Sequence, residues 1–403
     1  MSENRYLSAK EAADLLVISL PTLYAYVSRG LIRSESADES KRQRRYYRED
    51  VDKLLLKKEA SRNPEKMAES ALHWGAPVLD SALTLILDGK LYYRGEDVAQ
   101  LARTEPLEAV ATLLWADDRT LWRDLFSSPP TTIALPEYLI SQPAYTRLQS
   151  LLPLAAVQDF AAYDLRPETV MQTGARILAL MVTALTAGFA QNSSTHALIA
   201  EKLESAWSPT DESAAEILNV ALIVCADHEL NASSFTARIV ASTGATPYAV
   251  VMGGLAALTG VKHGGNTERV EAFLNELSAA GDVRQGIAGR LRRGEMVPGF
   301  GHKLYMEGDP RAAILFDLLR GQGRDLHFYE AVSAGVFEVI GEHPNVDFAL
   351  VTVARVLNLP PDSALTLFAL GRAVGWIAHA LEQYRDDTLI RPRARYVGNQ
   401  PWL

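Results

Sequence analysis

Three of the eight histidines stand in company that suits chemistry. His228 lies in Asp227-His228-Glu229-Leu230-Asn231, His263 precedes Gly264-Gly265, and His302 closes Gly299-Phe300-Gly301-His302 before Lys303. Glycine beside a histidine lets a ligand approach the backbone, or aims a helix N-terminus at an anion. Downstream, Asp309-Pro310-Arg311 and Asn345-Val346-Asp347 add carboxylates and a cation, and Arg372, Arg391, Arg393 and Arg395 supply cations for small carboxylates. Taken singly, a histidine is more often a satisfied polar residue, and His73, His196, His327 and His343 read that way.

Other chemistries lack their spacing. No H-x-x-x-H or H-E-x-x-H pair occurs, and the single cysteine, Cys225, can build neither a Cys-rich zinc site nor an internal disulfide. No metal is expected. A G-x-S-x-G elbow, a P-loop and a G-x-G-x-x-G following a strand are missing as well. What survives is a histidine–carboxylate–arginine set, suited to proton abstraction beside a carbonyl and to binding a polyanion.

The chain that must position these groups has 403 residues, 48% hydrophobic and 22% charged, the balance of an ordinary globular protein. No uninterrupted apolar run reaches the roughly 18 residues of a membrane helix, and the first residues lack a signal-peptide pattern. The expectation is a cytoplasmic protein without a membrane partner. Net charge is −9, yet residues 1–60 carry twelve Lys/Arg against ten Asp/Glu, so the body is acidic and the head mildly basic. That asymmetry suits a small nucleic-acid module fused to another domain.

In the head, Ser8 and Glu11 have capping-box spacing before Ala12, Ala13, Leu15 and Leu16. Ser19 can cap a second helix with Pro21 in its first turn, Leu23, Val27 and Leu31 on one face, and Gly30 as its stop. Lys41 to Tyr47 mixes cations with aromatics, as a phosphate-contacting wing would, before a third helix near Glu49-Asp50-Val51. Residues 1–60 resemble winged helix-turn-helix modules of the MerR and excisionase type. The resemblance implies that Thr22, Tyr24, Ala25 and Arg29 face the major groove of double-stranded DNA, with Arg44 and Arg45 on phosphates. One departure stands at Val17, where the family has a glycine entering the turn. The competing reading of the head is a helical cap that packs or assembles.

The polar stretch at Asn63-Pro64-Glu65 reads as a linker. Residues 79–100 alternate and contain Asp88-Gly89, a hairpin signal. Beyond them the pattern is helical, with segments at 167–187, 212–226, 248–259, 267–280, 311–321, 329–341, 346–357 and 362–384. The first is apolar nearly all round, as a buried central helix would be. The fold class is mainly α.

The body resembles citrate synthase through the blocks DHELNASSFTARIVAST, KHGGNTERV, VPGFGHKLYMEGDPRA, PNVDF and LFALGRAVGWIAHALEQ. The resemblance implies a two-domain helical subunit of a homodimer, or of a higher oligomer built from it. Its large domain spans 61–264 and 351–403, and its small domain 265–350. It implies Asp347 as the base that removes a proton from the acetyl group of acetyl-CoA, His263 as donor to the thioester oxygen, and His302 as donor to the ketone of oxaloacetate. His228, Arg311 and Arg372 would hold oxaloacetate, Arg391 would reach the partner subunit's site, and Lys262, Lys303 and Arg393 would serve CoA phosphates. No cofactor is implied beyond the CoA thioester substrate.

Departures from the family pattern are Asn266-Thr267 after His263-Gly264-Gly265, Lys303 after His302, Met306, and Ala349-Leu350-Val351 after Asp347-Phe348. The first reading is therefore condensation of acetyl-CoA with oxaloacetate to citrate. Propionyl-CoA, giving 2-methylcitrate, stands beside it, because one methylene is worth only about 1–3 kcal/mol in a pocket. A reading from another class is a DNA-binding regulator whose body senses an acyl-CoA or a dicarboxylate.

Overall fold

The computed structural model describes residues 6–38, 41–48, 50–51, 54–55, 79–127, 135–190, 194 and 196–401. It divides into two units, Met1–Asp80 and Ser81–Leu403. The linker read at 63–65 and His73 lie outside the described residues.

In the first unit, Ser8 accepts from Glu11 N–H at 3.3 Å while the Glu11 carboxylate accepts from Ser8 N–H at 2.8 Å, so helix Ala9–Leu16 opens on the expected capping box. Ser19 caps helix Leu20–Ser28, with Pro21 in its first turn. Between the helices Val17 takes φ 50°, the left-handed conformation that the family's glycine adopts without cost. The strands Tyr6–Ser8, Lys41–Tyr47 and Ser34–Asp38 form an antiparallel sheet in that order. Ala12, Leu16, Leu23, Ile32 and Tyr46 close the core. The residue turned inward after the second helix is Ile32; Leu31, expected on that face, is exposed because Gly30 at φ 72° reverses the chain first.

The second unit is almost wholly helical. Among the described residues its one sheet is the hairpin Thr84–Leu87 and Lys90–Tyr93 with the short strand Glu96–Asp97. Asp88 and Gly89 both take positive φ, as a mirror-image two-residue turn requires. The enclosed helix is Ser363–Asp386, buried from Ser363 to Gln383. Helix Pro167–Thr186, expected in that role, keeps one partly exposed flank. Both are long and apolar enough to cross a membrane, but 94% and 67% of their apolar windows lie inside the protein. Helix Ala214–Cys225 approaches the enclosed helix at Gly371 and Gly375. A Cβ on either would come within 2.5 Å of Leu222 O and 2.3 Å of Ala226 O, respectively.

Helices Asn266–Ala280, Val283–Arg292, Pro310–Gly321, His327–Ile340 and Val346–Val356 form a packed group. Two links join it to the rest: Thr259 to Gly265, and Leu357 to Asp362, which contains Pro360-Pro361 between two non-glycine residues of positive φ, Asn358 and Asp362.

Candidate active site

His228 follows helix Ala214–Cys225, and its neighbour Asp227 is held from three sides. Thr84 Oγ1 donates to Asp227 Oδ2 at 2.5 Å, and Tyr93 OH donates to Asp227 O at 3.1 Å. His379 Nε2 on the enclosed helix lies 3.2 Å from Oδ1, and both side chains are fully buried. Asp227 keeps a carboxyl pKa below its ordinary value. Burial opposes ionisation there, but His379 and Arg372 outweigh it. His379 was given no role in the sequence reading, and only its place four residues after Gly375 hinted at one.

Arg372 is completely buried. Its Nε donates to Cys225 O at 2.7 Å, its guanidinium lies 4.9 Å over the Phe368 ring, and both Nη atoms are buried without a hydrogen-bond partner. Two aligned, desolvated N–H groups on a cation are a site for a carboxylate. The largest compensation for the buried cation is the charge of Asp227.

Arg311, also buried, opens helix Pro310–Gly321 and forks onto Asp309 through Nε at 2.9 Å and Nη2 at 2.7 Å. Asp309 Oδ2 accepts Val346 N–H as well, at 3.0 Å, which ties Arg311 to the first turn of the Asp347 helix. Asn345 caps that turn, accepting from Asp347 N–H at 3.0 Å.

The three imidazoles and the carboxylate share the field of these arginines. Burial, then Arg311 and Arg372, push His228 far below the usual histidine range. His263 is lowered to about 4 by burial, Arg372 and Arg311, and His302 to about 4 by burial and Arg311. All three are neutral at pH 7. Asp347 moves the other way, up to about 6, because burial outweighs the hydrogen bond from Asn266 and the attraction of Arg311. It is a carboxylate of raised basicity that is still ionised near neutrality.

Hydrogen bonds fix several protons. Leu304 N–H donates to His302 Nδ1 at 3.2 Å, so the neutral ring carries its proton on Nε2. His263 Nε2 and Ser233 Oγ are 2.8 Å apart, and Ser233 Oγ also lies 2.8 Å from Asn231 Oδ1. His228 Nε2 meets Tyr305 OH at 2.9 Å, with the His302 ring 5.2 Å from the His228 ring. Asn266 Nδ2 donates to Asp347 Oδ2 at 2.7 Å.

Gly264 and Gly265 serve a different purpose from the ligand approach first read into them. A Cβ on Gly264 would meet Leu258 O at 2.6 Å, and one on Gly265 would meet Thr259 O at 2.8 Å, so their closeness is to the protein's own backbone. Sequence reasoning passed over Ser233, Asn266 and Tyr305 as participants. Asn266 and Tyr305 each sit three residues after a singled-out histidine, the one signal that could have flagged them. Arg391 stands apart from the cluster, exposed on the C-terminal segment with Arg393, and Lys262 and Lys303 are exposed. A cavity of about 530 Å³ lined by Thr267, Val351, Arg355, Pro361 and Leu365 includes none of the expected site residues.

In the head, Tyr24, Arg29 and Arg44 are exposed, whereas Thr22 is half-buried with its hydroxyl 2.8 Å from Ser19 Oγ. Arg45 is paired with Glu35 at 2.6 Å and lies 4.1 Å over the Tyr6 ring.

The chain is similar to known proteins over most of its length. Residues 71–393 match the family model described as citrate synthase, C-terminal domain, and residues 6–59 a helix-turn-helix domain. Citrate synthase of Haloferax volcanii is 34% identical, covering 81% of this chain and 95% of that protein. A 2-methylcitrate synthase of Shewanella oneidensis is 30% identical, over 77% and 89%. The crystal structure of citrate synthase from Thermotoga maritima superposes with TM-score 0.67 at 25% identity, over 81% of this chain and 94% of that one. The Thermoplasma acidophilum enzyme, solved with carboxymethyl coenzyme A and oxaloacetate, shares the fold with TM-score 0.69 at 24% identity, over 82% and 96%. With a mainly α body and a helix-turn-helix domain N-terminal to it in sequence, the chain belongs to the citrate synthase family.

Proposed function

We propose that the body condenses acetyl-CoA with oxaloacetate, giving citrate and CoA. The observation that carries this reading is Arg372, a buried guanidinium whose two Nη groups have no acceptor, in the same electrostatic neighbourhood as the neutral imidazoles of His228 and His263. A dianionic oxo-acid supplies the missing acceptors. Arg372 would take one carboxylate, with Arg311 and His228 completing the hold.

Asp347 would remove a proton from the methyl carbon next to the thioester. The enolate charge must be neutralised as it forms, because that carbon acid is too weak for a carboxylate in water. His263 would do so. Ser233 donates its one hydroxyl proton to Asn231 Oδ1; turning that proton from Asn231 to His263 Nε2 would leave the ring proton on Nδ1, where it could bind the thioester oxygen. His302 Nε2–H would bind the ketone oxygen and transfer its proton as the new C–C bond forms. Water then hydrolyses the citryl thioester to citrate and CoA. No cofactor beyond the CoA substrate is needed in this family.

The small domain would be the helix group from Asn266 through Val356. Its second boundary belongs in the Leu357–Asp362 link, since residue 350 lies inside one helix. Closure about the two links would exclude water from the reacting carbon. Exposed apolar side chains at Val157, Phe160 and Tyr163 support a homodimer, and the free C-terminal segment supports Arg391 reaching the partner's site. A cytoplasmic location is part of this reading, and the enclosure of most of both long apolar helices within the protein supports it.

The relative named 2-methylcitrate synthase supports propionyl-CoA as the second acyl donor. Exposed Tyr24, Arg29 and Arg44 on a helix-turn-helix support double-stranded DNA as partner of the head. The test is release of free CoA from oxaloacetate with acetyl-CoA and with propionyl-CoA. Wild type should release CoA with at least one donor, and Asp347→Ala should release none. Tight binding of both donors without release would favour a sensor instead.

A further inference from the structure

Tyr305 belongs to the ground between the groups that would hold the oxo-acid. Its hydroxyl is 2.9 Å from His228 Nε2, its ring is 4.9 Å from the His302 ring, and the Arg311 guanidinium lies 5.9 Å over its face. The side chain is buried, and Pro310–Gly321 on one side and the His228 segment on the other leave the phenol no other described hydrogen-bond partner than His228. His228 Nε2 is therefore already engaged by the phenol.

We infer that Tyr305, and not His228 directly, presents the hydrogen-bond donor to the oxo-acid, with His228 orienting the phenol. The inference rests on the condensing reading of the site. Neutral His228 donates Nε2–H to the phenolic oxygen, and the Tyr305 O–H, no longer needed by His228, points its proton at a carboxylate or ketone oxygen of the substrate. Both groups remain neutral, since burial drives His228 below and the Tyr305 phenol above their ordinary ranges. A neutral donor beside Arg372 and Arg311 adds direction without adding charge. It also makes recognition depend on the position of an oxygen, which a site of cations alone does not. Tyr305 is thus a substrate-binding residue and His228 its positioning residue.

The test compares wild type, Tyr305→Phe, His228→Gln and the double variant. Oxaloacetate and acyl-CoA are each varied at saturating levels of the other, and oxaloacetate binding is measured by calorimetry. Tyr305→Phe keeps the ring and loses only the hydroxyl. Its KM and Kd for oxaloacetate should rise about tenfold, the loss of one hydrogen bond to a charged acceptor. The KM for acyl-CoA and the melting temperature should stay at wild-type values, which a merely structural role would not allow. The double variant should bind oxaloacetate no more weakly than the weaker single variant, because both changes remove one contact. Unchanged or tighter oxaloacetate binding in Tyr305→Phe overturns the proposal, and tighter binding would mark the phenol as an obstruction. So would fully additive losses. A wild type that binds oxaloacetate without releasing CoA overturns the condensing reading while the calorimetric comparison still decides the role of Tyr305. A wild type that does not bind oxaloacetate overturns both.

Discussion

Asn266 donates its side-chain N–H to Asp347 across 2.7 Å, so a residue three places after His263 steadies the carboxylate that would deprotonate the acyl group. The bond favours the ionised form and restrains the upward push of burial, which leaves Asp347 at about 6. Activity that needs ionised Asp347 should fall as pH drops through about 6. Asn266→Ala removes the restraint, so the acid limb of kcat/KM should move to higher pH, by about half a unit to one unit. A pH–rate profile of both proteins reads the shift directly. An unmoved limb would separate Asp347 from the rate.

The same raised value makes Asp347 a stability cost at neutral pH. Its folded value lies above the ordinary aspartate range, so the unfavourable contribution is absent below about 4, grows as pH rises through about 6, and persists above. Asp347→Asn should therefore abolish CoA release while stabilising the folded body at pH 8 by about 1–3 kcal/mol. Chemical denaturation at pH 8 and pH 4.5 should show the gain at the first and little at the second.

Arg372 is costly to bury while its Nη groups lack acceptors. Arg372→Met should leave the melting temperature of the ligand-free protein equal or higher. It should also cancel the rise that oxaloacetate gives wild type and weaken oxaloacetate binding at least about 100-fold, the loss of a buried charge-assisted fork. Thermal melts with and without oxaloacetate measure both effects.

Val17 holds a β-branched side chain at φ 50° in the helix-turn-helix. Val17→Gly should relieve about 1 kcal/mol of strain, partly offset by the greater freedom of glycine in the unfolded chain. Amide hydrogen exchange within Ala9–Ser28 should slow by a few-fold, with exchange in the body unchanged.

Arg45 is neutralised by Glu35, so it is a weaker phosphate ligand than Arg44 as the protein stands. Arg44→Ala should weaken duplex binding and reduce the salt slope by about one. Glu35→Gln should strengthen binding by freeing Arg45. Retention of duplex by the head variants across a salt titration distinguishes these outcomes from a head with no DNA role, for which neither substitution changes anything.

The helices of the body were legible because their apolar residues repeat at helical spacing over long segments. All eight of the ranges read from sequence coincide with helices to within about two residues. Helix Ala232–Ala241 was harder to see, since Ser233, Ser234 and Arg238 are polar yet buried, Ser233 against His263 and Arg238 against Glu382, Gln383 and Asp386, all distant in sequence. The same limitation hid Ser233 and His379. A hydroxyl that orients an imidazole thirty residues away, or a histidine that meets Asp227 from another helix, leaves no local pattern. The glycine pair after His263 was visible, but its reason, contact with Leu258 and Thr259 backbone, is a tertiary fact. Val17 shows the converse, because the unusual residue was plain in the sequence and the structure supplied the left-handed backbone that makes it unusual.

Pro360 and Pro361 give the second link a further property. Proline fixes φ at both positions and disfavours helical backbone at Leu359 and Pro360, each of which precedes a proline. The connection therefore acts as a strut and not a string. Any rotation between helix Val346–Val356 and the enclosed helix would have to be taken up at its two ends, at left-handed Asn358 and Asp362, which would confine the swing to a narrow arc and return Asp347 to the same place relative to Arg372.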